Sequence, residues 1–341
     1  MKKKSIFENQ RTHINPKPSR NLYNVKFTLK FQTNPAIGFT LEHDQQDLFF
    51  NVLRYRIDAE AAEKYRDFQE MKWKDVVMWP VDEISVNRDE ELKKYAESLD
   101  LEEIINLGHL GTGKERENDN ETDISDPKLL KLALTITKIA KTDFEKVKLI
   151  YIWITHNISY DVHSYNNKTI NVNKATPKTV LKTKLAACGG FANLFAALGK
   201  SLGLEVEKVE GYCKGFGFEE GTVLDKSNHA WNVYISGNRI ALIDCTWGAG
   251  GTAYCEEKED GKSPSLLKTE KTYNNYWFNT NPYSFLFNHL PEDDIFQCVD
   301  RRLNLSEFCS IPDKDEDYML ENIDKTPREL LFEFVDSLIW E

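Results

Sequence analysis

Long apolar runs are missing from this chain of 341 residues. No stretch approaches the ~18 consecutive apolar residues that cross a bilayer, so neither a membrane span nor a membrane partner is expected. The start, Met1-Lys2-Lys3-Lys4-Ser5, is positively charged but has no apolar segment behind it. It does not read as a secretory signal, and the expected compartment is the cytosol. Basic charge is also in short supply: 44 Lys and Arg against 55 Asp and Glu leave a net charge of −11. Phosphate neutralisation needs clustered basic side chains, so nucleic acid is not an expected partner. Paired cysteines at metal-binding spacing are absent as well. The six cysteines, at 188, 213, 245, 255, 298 and 309, all fall in the second half, and no two have the spacing of a zinc knuckle or a thioredoxin motif. Without a secretory signal, three disulfides are not expected either. Glu256-Glu257-Lys258-Glu259-Asp260-Gly261 lacks the alternating oxygen ligands of a calcium loop and reads as a solvated turn. Neither a metal nor a cofactor is expected.

What is present is enough for substantial cores: 40% hydrophobic residues, 12% aromatic, over a length that suggests about two domains. Residues 1–23 are polar and read as a flexible tail. Residues 24–110 form an N-terminal unit of unknown type, a smaller α/β unit. It has an alternating strand over 25–31, helices over 59–72 and 89–106, and Trp73 and Trp79 as packed core. Gly111 to Asp126, with six acidic and two basic residues, reads as a linker. Residues 127–310 make the second domain and 311–341 a C-terminal helical extension. Within the second domain, Pro127 opens an apolar helix to about Ala140. Thr142 and Glu145 mark a capping box for a helix over 143–157. That helix is apolar on nearly every side and should be buried, Trp153 with it. Thr176 and Pro177 are the N-cap and first position of another short helix. Thr326-Pro327-Arg328-Glu329 is a capping box for an amphipathic C-terminal helix, whose stripe should pack on the chain itself.

Three residues carry candidate chemistry. Cys188 sits in Ala187-Cys188-Gly189-Gly190-Phe191, His229 in Asn228-His229-Ala230-Trp231-Asn232, and Asp244 in Ile243-Asp244-Cys245-Thr246-Trp247-Gly248. A thiol of ordinary pKa, about 8.5, is mostly protonated at neutral pH and needs an imidazole or a helix N-terminus to become a nucleophile. The apolar spacing of Phe191, Leu194, Phe195, Leu198 and Leu202 predicts a helix ending near Gly203, which puts Cys188 at its start. The same backbone donors could hold an oxyanion, and Gly189 and Gly190 would leave room for an acyl group.

His229 and Asp244 are linked by a predicted hairpin, with strands over 229–235 and 239–245 and a turn at Ser236-Gly237-Asn238. A two-residue loop sets Asp244 one diagonal step from His229. A four-residue loop sets them directly opposite, and a three-residue loop puts them on opposite faces. Capping of the loop Thr246-Trp247-Gly248 is the competing role for Asp244.

With these motifs the chain resembles the transglutaminase-like superfamily, most closely its kyphoscoliosis-peptidase-type branch. Further matching segments are Ile150-Tyr151-Ile152-Trp153-Ile154, Asn157-Ile158-Ser159-Tyr160-Asp161, Thr176-Pro177, Tyr276-Trp277-Phe278 and His289-Leu290-Pro291-Glu292-Asp293. The resemblance implies an α+β fold with a papain-like transglutaminase core, in which a nucleophile helix packs on an antiparallel sheet. It implies Cys188 as nucleophile, His229 as general base and acid, and Asp244 as orienting acid. The implied activity is thiol-dependent acyl transfer on protein or peptide substrates, as a protease or amidase. The alternatives are a cross-linking transglutaminase and a non-catalytic adaptor with a cytoskeletal or cell-division partner. Glycan-removing amidases that resemble this superfamily carry paired zinc cysteines, which this chain lacks. His289 reads as part of a structural turn.

Overall fold

The structure, a computed structural model, describes residues 77–100, 127–170, 175–215, 218, 221–250, 252–256 and 266–338. The tail at 1–23, the strand expected over 25–31, the helix expected over 59–72, Trp73 and the acidic stretch 111–126 lie outside the described residues. In chain order the first elements are β1 (Val77–Met78), α1 (Val86–Ser98), α2 (Pro127–Ile136), α3 (Asp143–Asn157) and β2 (Ser159–Tyr160). Next come α4 (Pro177–Thr183), β3 (Leu185–Ala186), α5 (Cys188–Ser201), β4 (Glu205–Cys213), β5 (His229–Ser236) and β6 (Arg239–Ile243). The last are β7 (Thr252–Glu256), β8 (Leu266–Glu270), β9 (Phe278–Thr280), β10 (His289–Pro291) and α6 (Pro327–Ser337), with shorter helical turns between them.

The main sheet has the order β1-β6-β5-β4-β10, with β9 also paired to β6. β1 runs parallel to β6 and every other pairing in this sheet is antiparallel. Helix α5 packs on β4 and β5 and also contacts α2, α3 and α4. This is the expected α+β, papain-like arrangement of one central helix on an antiparallel sheet.

Helix α3 shows why the pieces lock together. Its N-cap Thr142 accepts a hydrogen bond from the Glu145 amide at 3.1 Å, but the Glu145 side chain does not return to Thr142. It accepts from the Lys141 amide at 2.6 Å and from the Arg88 guanidinium at 3.0 and 2.8 Å. Half of the expected capping box has thus become a bridge to α1. The rest of α3 is buried from Phe144 to Thr155 except for Lys146, as its nearly all-round apolar sequence requires. Two charges are buried with it, and α1 neutralises both: Arg88 pairs with Glu145, and Asp89 stands 3.0 Å from Lys148.

Residues 77–100 fall within the N-terminal unit expected over 24–110, and here Leu92 and Ala96 of α1 are fully buried in this core while β1 extends its sheet. Trp79 stacks on Phe144 at 4.5 Å. The described residues all belong to one compact unit. At the other end, α6 has its capping box between Thr326 and Glu329 and buries Leu330, Leu331, Phe332 and Val335. These join Phe287, Leu290, Phe308 and Ile311 in a second apolar cluster. Buried Lys214, just past β4, donates to the Ile311 carbonyl at 2.8 Å and ties this cluster to the sheet. Among the described residues no helix is long and apolar enough to cross a membrane.

Candidate active site

The β5–β6 hairpin closes through the two-residue loop Gly237-Asn238, because Ser236 pairs with Arg239. Gly237 has φ +58, the sign that the first central residue of a type II′ turn requires. Of the three registers open to the sequence, this one places Asp244 diagonally from His229. Strand β6 stops at Ile243, where its pairing with β9 shifts register. Asp244 then leaves the sheet as N-cap of the short helix Cys245–Gly248.

Two roles that competed for Asp244 fall on different oxygens of one carboxylate. Oδ1 accepts from the amides of Thr246 at 2.7 Å and Trp247 at 3.1 Å. Oδ2 lies 2.7 Å from Nε2 of His229. Capping therefore aims the second oxygen at the imidazole. Both side chains are buried.

Cys188 is the first residue of α5, with Ala187 as an N-cap that offers no side-chain bond. Cys188 is half-buried, and the His229 ring acts on its thiol electrostatically. With Nε2 committed to Asp244, Nδ1 is the nitrogen left to exchange a proton with the thiol. Burial pushes the Cys188 thiol up, but the nearby His229 ring and its charge, helped by the Gly189 amide, bring it below its ordinary value. For His229, burial disfavours the imidazolium and is outweighed by the neighbouring Cys213, Asp244 and Cys188, so its pKa rises well above the ordinary value. The Cys213 thiol is itself pushed up to about 11 by burial and is neutral at physiological pH, which leaves Asp244 and Cys188 as the working causes. Burial opposes ionisation of Asp244 too, yet the charge and hydrogen bond of His229, with the hydrogen bond of His289, hold it well below the carboxylate range.

The structure thus gathers all three sequence candidates. It adds a fourth residue, His289, whose Nε2 lies 3.1 Å from the same Asp244 Oδ2. Strand β10 brings it there by pairing His289 with Cys213, two residues beyond the Gly211 that faces His229. Nothing local in the sequence marks this role, because the register between β10 and β4 joins segments far apart in the chain. His229, Asp244 and His289 bring ligand-type atoms within 4.8 Å of one another. A separation of 2.7 Å between Nε2 and Oδ2 of the first pair is that of an N–H···O bond. Two ligands of one tetrahedral zinc, each about 2.0–2.1 Å from the metal, would stand about 3.3 Å apart. The trio is a hydrogen-bonded network.

The two glycines after Cys188 differ. A Cβ on Gly189 would meet nothing within 4 Å, so that position leaves the approach to the thiol open. A Cβ on Gly190 would stand 2.9 Å from Ala186 Cβ and 3.1 Å from Val180 Cγ2. Gly190 serves the packing of α5 on α4 and β3 rather than access. Trp153 is fully buried in α3, in keeping with its reading as core.

Comparison with known proteins finds a family and several relatives. Residues 130–245 match the family model of the transglutaminase-like superfamily. Kyphoscoliosis peptidase of Mus musculus is 33% identical over 182 residues, covering 53% of this chain and 26% of the relative. The Homo sapiens protein of that name is 34% identical over 171 residues, covering 50% and 24%. Cytokinesis protein 3 of Schizosaccharomyces pombe is 22% identical over 171 residues, covering 50% and 18%. The chain therefore spans about a quarter or less of the length of these relatives. Motif order, fold and similarity together identify a transglutaminase-like superfamily domain over residues 130–245, similar to the kyphoscoliosis peptidases.

Proposed function

We propose that this chain is a thiol-dependent acyl-transfer enzyme acting on protein or peptide substrates, with Cys188 as nucleophile, His229 as general base and acid, and Asp244 as orienting acid. The observation that carries this reading is the 2.7 Å contact between Asp244 and a buried His229 that also acts electrostatically on the Cys188 thiol. In the first half-reaction the thiolate attacks an amide carbonyl, forming the C–S bond. The oxyanion formed then collapses as the C–N bond breaks and imidazolium His229 gives its proton to the departing amine. In the second, His229 takes a proton from water, the hydroxide adds to the thioester, and the C–S bond breaks to release the acid and restore the thiolate. An amine in place of water would give a cross-link. We favour hydrolysis, on the similarity to relatives named as peptidases.

The test is alkylation with iodoacetamide at graded pH, with peptide mapping of all six cysteines. Cys188 should react well below pH ~8, and His229→Ala should abolish that preference. Equal reactivity of all six would overturn the reading. A peptide library assayed with and without an amine acceptor then separates hydrolysis from transfer. The similarity to cytokinesis protein 3 supports a second reading, an adaptor for cytoskeletal or cell-division partners. An adaptor would bind its partners undiminished as Cys188→Ala and would accumulate no thioester.

A further inference from the structure

His289 sits in a box of aromatic side chains. Its ring stacks on Phe285 with centroids 4.1 Å apart and lies 4.5, 5.2 and 5.3 Å from the rings of Trp247, Trp231 and Trp277. It is fully buried, and its Nδ1 has no hydrogen-bond partner. An unpartnered buried nitrogen is costly and calls for a compensating role. The other nitrogen supplies one, since it meets the carboxylate oxygen that His229 also uses.

We propose that His289 is a positioning residue for the Cys188–His229 pair, acting through Asp244: its neutral imidazole donates Nε2–H to Oδ2 and keeps the carboxylate ionised and aimed at His229. This rests on the acyl-transfer reading only in taking Cys188 as the group whose ionisation matters. With two backbone amides on Oδ1 and two imidazoles on Oδ2, Asp244 receives four hydrogen bonds and has little acceptor capacity left. The aromatic box fixes the ring plane, so the donor points one way. Burial lowers the His289 pKa to about 4, and the ring stays neutral where the thiol works. A neutral second donor suits the task. A second imidazolium beside His229 would repel the positive charge that the thiolate needs, whereas a neutral N–H strengthens the carboxylate without that repulsion. The other titratable groups whose charges act on this network are Cys188, Cys213, Cys245 and Tyr151. Burial raises the pKa of the last three, so they too are neutral at physiological pH.

The experiment is the pH profile of Cys188 alkylation by iodoacetamide in wild type, His289→Phe and His289→Gln, with circular dichroism to verify folding. Phe keeps the stack and removes the donor; Gln restores an N–H near the Nε2 position. In His289→Phe the midpoint should move up by about one pH unit, slowing reaction tenfold at pH values below the midpoint, and Gln should recover most of that shift. Identical profiles for wild type and folded His289→Phe overturn the inference, while a wild-type midpoint at the ordinary thiol value overturns the acyl-transfer reading instead. If His289→Phe does not fold, the imidazole ¹⁵N shifts of the wild type decide. A neutral His289 protonated at Nε2 between pH 5 and 8, beside a charged His229, supports the proposal. A charged His289, or one protonated at Nδ1, refutes it.

Discussion

Asp244→Asn is the sharpest perturbation this site allows, because it changes one atom and inverts the logic of two rings. The asparagine can keep its Oδ1 on the amides of Thr246 and Trp247, so the cap and the local backbone survive. Its NH2 group then stands where Oδ2 stood, facing the Nε2 atoms of His229 and His289, which lie 2.7 and 3.1 Å from that oxygen. Neither ring can donate to a donor. His229 must shift its proton to Nδ1 and present N–H to the sulfur, which is the wrong tautomer for a base. A comparable inversion in a serine-protease triad lowers turnover by about 10⁴. Stability should fall too, since each lost hydrogen bond to a charged group contributes about 1.5–3 kcal/mol. We expect a loss of about 3 kcal/mol or more in urea unfolding at pH 7. The sign with pH is fixed. A carboxylate whose folded pKa is depressed stabilises the fold above its unfolded pKa of about 3.9, and that contribution is lost as pH falls through the folded value. The stability curves of wild type and Asp244→Asn should therefore converge in acid. At the thiol, loss of the imidazolium returns Cys188 toward a pKa near 8.5, where only about 3% is thiolate at pH 7, so alkylation should slow by roughly 10- to 30-fold. A variant that folds, unfolds at the wild-type urea midpoint and alkylates Cys188 at the wild-type rate would refute the reasoning.

Two further outcomes follow from the packing and the buried titratable groups. Arg88→Ala leaves Glu145 at the α1–α3 contact without its guanidinium, and the loss of one partner of such a pair costs about 3–5 kcal/mol. A urea-midpoint shift under 1 kcal/mol would show that α1 does not stabilise the core. His289 binds a proton more weakly folded, at about 4, than unfolded, at about 6.5, so stability should rise with pH across that window by up to about 3 kcal/mol. His229, whose folded pKa is raised, contributes stability that is complete below about 6.5 and lost as pH rises through its folded value. A His289→Phe protein whose urea midpoints between pH 4 and 6.5 keep the wild-type slope would contradict this assignment.

The sequence was most legible where one segment determined its own shape. Thr176-Pro177 and Thr326-Pro327 cap the helices they were read to cap, and the apolar stripe from Phe191 to Leu202 is the helix that begins at Cys188. Legibility dropped where a residue had two chemically sensible partners. Glu145 has the spacing of a capping box, and Thr142 does its part, but a guanidinium on α1 holds a carboxylate better than a neutral amide does. Nothing between 142 and 145 announces that Arg88 will be there.

Asp244 poses the same difficulty in a more instructive form. Read along the chain it is either a cap or an acid, and weighing one against the other assumed that a carboxylate serves one master. Its two oxygens serve both, and the cap makes the acid work. The helix Cys245–Gly248 starts only because Oδ1 holds its first amides, and those bonds fix χ1 so that Oδ2 faces His229. The strand register supplies only a diagonal approach, and the turn completes it. His289 was illegible for a different reason. A histidine between Asn288 and Leu290-Pro291 looks like a turn residue until β10 is laid beside β4, and the neighbouring Leu290 of β10 packs in the apolar cluster with the C-terminal segment. The residues that gather Phe287, Leu290, Phe308 and Leu331 into one cluster also set the distance between His289 and Asp244. Substitutions in that cluster, remote from the thiol, should therefore act on its ionisation through the position of β10.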